Sequence, residues 1–564
     1  MQPREEYEKW LKNPFLSAEE KEYLKSISQD EATIEELFHQ DLTFGTGGMR
    51  GVIGVGTNRI NRYQVAKATQ AFAAHLIKKA GGRVRKPVAV GYDTRRMSAE
   101  FAETALRVLL GNGIGVARFR GPRPVPQMSY VIRELDLAGG ILITASHNPK
   151  EYNGYKVYSS YGGQLVPEDM EDIMFEFKKI KEFNQVHPYV GHLRLSSILN
   201  TIGISLDERF QKAVCRAAVN EEFHRQLGIV YSPLHGTGAV CVPQVLEKRG
   251  FSNVWTVQAQ MEPDPDFSTV RVPNPEDHSA LSMAIQLAKE KQADMVLATD
   301  PDCDRVGVAF RNEAGEYISL TGNQIGALLI DYIVRFRKDM PPHPVMIQTV
   351  VTGGLGKKIA QEAGLEVQEV LTGFKYIGQR MTEFEQADLP EEQKKHFVFG
   401  YEESYGCLSA GHARDKDGAN ACMLLAEMEG FYRQEGTCAL ERLSEIYRQY
   451  GYFSDQVENI AFTGIEGMKE MGEVMERVRK AGCSSLGGRK ALMIDFEKTQ
   501  ETGLPQENAL KFLLEDGSFA ALRPSGTEPK LKMYFSCRGA SMEQAQQLCE
   551  QLKEELMAVS GIQK

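Results

Sequence analysis

Again and again in this chain a short apolar, β-branched run gives way to a polar turn rich in Gly, Pro or Asp and then to a stretch of helical period. That alternation leaves few folds open. Val88–Val90 runs into Tyr92-Asp-Thr-Arg-Arg96, Ile141–Ile143 into Thr144-Ala-Ser-His-Asn-Pro149, and Ile229–Tyr231 into PLHGTG. Asp294–Ala298 runs into TDPDCDR, Val345–Val351 into a Gly-rich turn, and Phe397–Phe399 into GYEESYG. Between them lie helical stretches such as the one with Val65, Ala68, Phe72 and Leu76 on a single face. Strands alternating with helices predict α/β layers with mixed sheets, whose ligands gather at the carboxyl ends of the strands.

At 564 residues the chain is too long for one core. Element order divides it into α/β units at 1–204, 205–320 and 321–445 and a smaller α+β unit at 446–564. The last has predicted strands near Lys490–Phe496, Lys511–Leu514 and Leu531–Phe535 and a closing helix over Met542–Val559. Short Glu- and Lys-rich helices over the first forty or so residues are expected to pack outside the first unit. Net charge of -10 and a pI near 5.7 imply no broad basic surface for nucleic acid or anionic lipid, so an anionic ligand needs a local basic site. The hydrophilic, acidic start and the lack of any apolar run of about 18 residues predict no membrane association and a cytoplasmic protein. Nine scattered cysteines without a C-x-x-C pair fit free thiols in a reducing compartment.

Ser146 follows a buried-type strand, which makes it a candidate nucleophile; the alternative is a turn serine capping the next helix. Asn148-Pro149 and Asn153-Gly154 read as turn formers able to bring Lys156 back toward it, as a cation or as a base of lowered pKa. Ser98 is expected to cap a helix. Asp300, Asp302 and Asp304, at spacing two, put three carboxylates together, a set that suits Mg²⁺ better than the calcium loop it partly resembles; a solvated acidic turn is the alternative. Phe44-Gly-Thr-Gly-Gly-Met-Arg50-Gly offers backbone donors and one guanidinium to an anion. Glu402 and Ser404 alternate in a loop suited to a hydroxyl-rich ligand such as a sugar. Arg523-Pro-Ser-Gly-Thr-Glu-Pro-Lys530 has the composition of a phosphate loop.

FGTGGMRG, TASHNPKEYNGYKVY, DPDCDR, TGFKYIG, GYEESYG and RPSGTEPK, in that order over nearly the whole chain, resemble the α-D-phosphohexomutase family, in its phosphoglucomutase and phosphopentomutase branch. The resemblance implies three similar α/β domains and a smaller fourth around a central cleft. It implies a phosphoryl group carried on Ser146, with Ser146, Asp300, Asp302 and Asp304 holding Mg²⁺, and catalytic roles near that group for Arg50, Lys156 and His147, Lys156 as a general base. It extends substrate binding to Arg305, Thr372, Gly373, Lys375, Glu402, Ser404, Arg523, Ser525, Gly526 and Thr527. Gly406 stands where less selective members carry a histidine, which favours the glucose-type pattern. The implied reaction exchanges glucose 1-phosphate and glucose 6-phosphate through a sugar 1,6-bisphosphate, with glucose 1,6-bisphosphate as priming donor. Pentose or mannose phosphates are the nearest alternatives; a metal-dependent phosphatase or a non-catalytic sugar-phosphate sensor is more distant. Oligomeric state is left open.

Overall fold

The structure, a computed structural model, describes residues 2–42, 44–45, 48–193, 196–462, 464–525 and 530–562. Among the described residues the strands form four sheets, and each places one functional loop. The first has the order Phe44–Gly45, Gly48–Val52, Tyr152–Tyr158, Gly139–Ile143, Val88–Tyr92, Val116–Arg118, Leu199–Thr201. Gly139–Ile143 is buried at every position and lies parallel to Val88–Tyr92, as expected of an apolar run covered on both faces. On its other side runs Tyr152–Tyr158, antiparallel, with Leu142 opposite Lys156.

That hairpin departs from the sequence reading. Asn153-Gly154 is not a turn but lies inside the returning strand, and the reversal is made earlier, where Tyr152 N–H donates to Pro149 O at 3.1 Å. Glycine at 154 answers to crowding: a Cβ there would sit 2.4 Å from the carbonyl oxygen of Thr144. Ser98 is likewise not a cap. It is the first residue of the helix Ser98–Gly111, behind Met97 at φ 64°, and its hydroxyl donates to Asp93 at 2.7 Å.

The second sheet runs Tyr317–Ser319, Val306–Arg311, Met295–Thr299, Ile229–Ser232, Val254–Thr256, and the third Glu366–Val370, Pro344–Thr349, His396–Tyr401, Cys407–Leu408. Both mix parallel and antiparallel pairs. The fourth is antiparallel, in the order Tyr452–Ala461, Lys530–Gly539, Phe519–Pro524, Leu510–Leu514, Arg489–Asp495, Ser485–Leu486. Tyr452–Ala461 and Phe519–Pro524 were not read from the sequence. The first alternates half-buried with exposed positions along most of its length, and the second ends in the phosphate-loop motif. At the start of the chain Pro3–Leu11, Ala18–Ser26 and Glu31–Phe38 are the expected short helices, closed by Tyr7, Trp10, Leu24, Ile34 and Phe38.

One apolar cluster runs from Val125 and Met128 beside the first sheet, through Ile229, Tyr231 and Leu297, to Leu328, Tyr332 and Phe399 in the third. A separate cluster joins the third and fourth sheets, with Ile347, Phe374 and Tyr376 against Phe496, Phe519 and Tyr534. Backbone bonds cross between the loops as well: Val125 N–H donates to Asp302 O at 2.9 Å, Gly418 N–H to Cys303 O at 2.9 Å, and Val306 N–H to Tyr405 O at 3.0 Å.

Candidate active site

Ser146 begins the turn after Gly139–Ile143 with φ 52°, a left-handed conformation that costs a non-glycine residue about 1 kcal/mol and so needs enforcement. Thr144 Oγ1 accepts its N–H at 2.8 Å. Arg95, almost wholly buried, threads its guanidinium under the loop and donates to the carbonyls of Ser146, Asn148, Pro149 and Tyr152. Arg95 is thereby committed to holding the loop, and Arg96 pairs with Asp266. The serine side chain faces the second sheet, and its Oγ donates to Asp300 Oδ2 at 2.6 Å.

His147 Nδ1 lies 3.1 Å from the same Oγ. Desolvation first, then the positive charge of Arg305 and Arg50, pushes its imidazole well below the usual value, so the ring is neutral. Arg50 sits in Gly48–Val52, opposite Gly154, and is exposed. Lys156 Nζ reaches Asp302 Oδ2 at 2.9 Å and Asp304 Oδ2 at 3.4 Å. Burial works against its charge, but the two carboxylates prevail and raise its pKa.

Asp300, Asp302 and Asp304 occupy the turn after Met295–Thr299, with Cys303 at φ 56° bending it so that the carboxylates converge. One oxygen from each lies within 4.8 Å of the others, and all three residues are buried. Burial, then the charges of Asp302 and Asp304, lifts the Asp300 carboxyl well above its ordinary range, whereas Lys156 overcomes burial and holds Asp302 low. Asp300 Oδ1 accepts the N–H groups of Asp304 and Arg305, and Thr144 Oγ1 donates to Asp302 Oδ2 at 3.1 Å. Asp302 Oδ1 and Asp304 Oδ1 are buried with no hydrogen-bond partner among the described residues. Two sealed anionic oxygens beside a third carboxylate and a hydroxyl are a donor set that a small hard divalent cation fits. Arg305 is tied to Glu276 at the edge of this cluster.

The third sheet contributes the turn after His396–Tyr401. Glu402 is buried and accepts Gly373 N–H at 3.1 Å; Ser404 lies half-buried two residues on, and Tyr405 is left-handed at φ 67°. Sequence reasoning missed Lys416. Its Nζ lies 3.1 Å from Asp304 Oδ2, 3.4 Å from Asp415 Oδ1 and 3.8 Å from Glu402 Oε2, so one ammonium links the aspartate cluster to the third-sheet loop. The signal was the charge-dense run Arg414-Asp-Lys-Asp417 before the helix Gly418–Gln434, where Asp417 is the N-cap.

The fourth sheet supplies Arg523 at the end of Phe519–Pro524. Its Nε donates to Glu507 Oε1 at 2.6 Å, and Thr372 Oγ1, from the third-sheet unit, donates to the same oxygen at 3.1 Å. Gly373, at φ 111°, starts the helix Phe374–Gln386, whose Lys375 has its pKa lowered to about 8 by burial, against the pull of Glu507. Ser525 N–H donates to Lys530 O at 2.7 Å; Gly526 and Thr527 lie outside the described residues. The expected residues thus fall into two groups, one around Ser146 and the aspartates, the other around Arg523, Thr372 and Lys375, with Glu402 and Gly373 joined between them.

The four domain families of the phosphoglucomutases and phosphomannomutases match in order: α/β/α domain I over residues 41–184, domain II over 208–315, domain III over 321–450 and the C-terminal domain over 465–555. A phosphoglucomutase of Staphylococcus haemolyticus is 36% identical over 543 residues, 92% of this chain and 94% of its own, and one of Staphylococcus aureus is 34% identical over 529 residues, 91% and 93%. Among solved structures the fold is shared with the open form of parafusin, a phosphoglucomutase of Paramecium, with TM-score 0.69 and 18% identity over 92% of this chain and 95% of that one. It is shared too with a phosphoglucomutase/phosphomannomutase family protein of Burkholderia thailandensis, with TM-score 0.65 and 16% identity over 92% and 98%. The chain belongs to the phosphoglucomutase/phosphomannomutase family, and it is an isomerase of the phosphohexomutase type.

Proposed function

We propose that this enzyme interconverts glucose 1-phosphate and glucose 6-phosphate through a phosphorylated Ser146 and a glucose 1,6-bisphosphate intermediate. The observation that carries the reading is the Ser146 hydroxyl at 2.6 Å from Asp300, beside two buried carboxylate oxygens with no hydrogen-bond partner among the described residues. Ser146, Asp300, Asp302 and Asp304 would hold Mg²⁺, which neutralises charge on the phosphoryl oxygens during transfer. The phosphoryl group passes from Ser146 Oγ to the free hydroxyl of the sugar monophosphate as the P–O bond to the serine breaks, and the hydroxyl proton ends on the serine oxygen it has vacated. The bisphosphate then turns over in the cleft and returns its other phosphoryl group to Ser146, so that enzyme and net composition are restored. Lys156 and Arg50, both cationic, stabilise the transferring group, and neutral His147 positions the serine oxygen through its hydrogen bond. Glu402 and Ser404 take sugar hydroxyls, while Arg523, Lys375, Thr372 and the loop from Ser525 through Thr527 take the phosphate that is not reacting. The four loops correspond to units at 1–204, 205–320, 321–445 and 446–564.

Glucose is favoured because the relatives of about one-third identity are named phosphoglucomutases. Nine free cysteines and the absence, among the described residues, of a helix long and apolar enough to cross a membrane support the expected cytoplasmic setting. The test is a coupled assay with glucose 1-phosphate, ribose 1-phosphate and mannose 1-phosphate, each with its bisphosphate primer, together with mass spectrometry of the Ser146 peptide. Ser146→Ala should lose turnover and the phosphopeptide while keeping its melting temperature. Turnover by that variant would end the phosphoserine mechanism, and a preference for ribose 1-phosphate would transfer the proposal to the pentose.

A further inference from the structure

Glu507 plays no part in the chemistry described so far, yet it occupies the centre of the remote anion site. Its Oε1 accepts from Arg523 Nε at 2.6 Å and from Thr372 Oγ1 at 3.1 Å, two groups assigned to a substrate phosphate. Lys375, the third such group, feels its charge. The carboxylate does not wander, because Glu507 N–H donates to Phe496 O at 3.1 Å and Glu507 O accepts Ala509 N–H at 2.8 Å, which pins the segment beside the fourth sheet. Side-chain exposure of 18% for Glu507 and 24% for Arg523 keeps the pair partly accessible to solvent.

We infer that Glu507 is a built-in counter-ion of the remote phosphate site, holding Arg523 and Thr372 until phosphate displaces it and weakening the site's hold on phosphate. This rests on the reading of Arg523 as the phosphate grip. A site with two cations and no anion would hold the remote phosphate tightly in both orientations of the sugar. The reaction requires that the bisphosphate let go there, turn, and bind again by its other end. A carboxylate that re-pairs with Arg523 as phosphate leaves compensates the guanidinium at the moment of release, and that lowers the barrier to turnover of the intermediate. The residue is therefore a positioning and affinity-setting group, and it touches neither the serine nor the transferring phosphoryl.

The experiment compares the full-length wild type with Glu507→Gln, Glu507→Asp and Arg523→Ala. It measures kcat and KM for glucose 1-phosphate and the shift in melting temperature on titration with inorganic phosphate. Glu507→Gln should lower both the KM and the phosphate concentration for half-maximal thermal shift by about three- to tenfold, between what an exposed ion pair and a buried charge-assisted bond are worth. Its kcat should fall, because release is slowed, and Glu507→Asp should lie between it and the wild type. Unchanged or weaker phosphate binding in Glu507→Gln, alongside weakened binding in Arg523→Ala, would overturn the counter-ion role while leaving the phosphate site intact. Unchanged binding in Arg523→Ala would overturn the phosphate-site reading and the inference with it.

Discussion

Replacing Gly406 with alanine would place a Cβ 2.0 Å from Cδ, 2.8 Å from Cγ and 3.0 Å from Cε of Lys416. The aliphatic stem of Lys416 thus fills the space over the glycine, and any side chain there must push it aside. With the stem goes the ammonium that lies 3.1 Å from Asp304 and 3.4 Å from Asp415. Breaking a buried pair by removing one partner costs about 3–5 kcal/mol. Lys156 still reaches Asp304 at 3.4 Å, so roughly half of that range, about 2 kcal/mol, is the expected loss. If the ammonium acts on the transition state, that equals about a 30-fold drop in kcat/KM. The assay is the coupled formation of glucose 6-phosphate by Gly406→Ala, Lys416→Met and the double variant. Because both changes remove the same ammonium, the double variant should be no worse than the poorer single one. Additive losses, or a Gly406→Ala enzyme with wild-type kcat/KM, would refute the reasoning.

Two predictions concern pH. Lys375, with its pKa lowered to about 8, binds phosphate as the ammonium, which is present below that pH and lost above it. The kcat/KM profile should therefore decline above pH about 8, and Lys375→Met should be lower throughout but flat in that limb, as steady-state assays across buffers will read. Asp455 has a buried Oδ1 without a partner among the described residues, and burial raises its pKa to about 6. Its folded pKa lies above the unfolded one, so it destabilises the fold increasingly as pH rises from about 4 through 6. Asp455→Asn should therefore melt later than the wild type at pH 8, by about 1–2 kcal/mol of stability, with the difference gone near pH 4.

The parts of the site that could be read in the sequence were local. A strand followed by a polar turn announced Ser146, and spacing two announced the aspartate cluster, because neighbouring residues impose both. Lys416 was missed for the opposite reason: the charge-dense run around it gave no partner, since of its carboxylate neighbours Asp304, Glu402 and Asp415 only the last is adjacent in sequence. Glu507 was hidden in the same way, in a Pro- and Asn-bearing turn whose one distinction is what it faces. Asn153-Gly154 misled because the pair signals a turn, whereas here glycine serves the close approach of Thr144 and asparagine donates from its side chain to Arg96 O and Ser98 Oγ. Tyr452–Ala461 escaped because its outer half alternates without a strongly apolar face, so pairing with Lys530–Gly539, not side-chain pattern, defines it.

Ser146, Cys303 and Tyr405 share a left-handed backbone, one in each of the three loops that meet at the aspartate cluster. A glycine at any of the three would relieve that backbone strain, roughly 1 kcal/mol at each. At 146 it would also delete the hydroxyl, and at 303 and 405 it would loosen the bends that aim the aspartates and the Glu402 turn. Cys303 is wholly buried in the core and Tyr405 packs against it, so the packing lost there outweighs the strain relieved, and only at Ser146 do durability and reactivity pull in opposite directions. A laboratory selection for heat resistance alone should drift toward glycine at 146, and one for turnover should hold the serine in place.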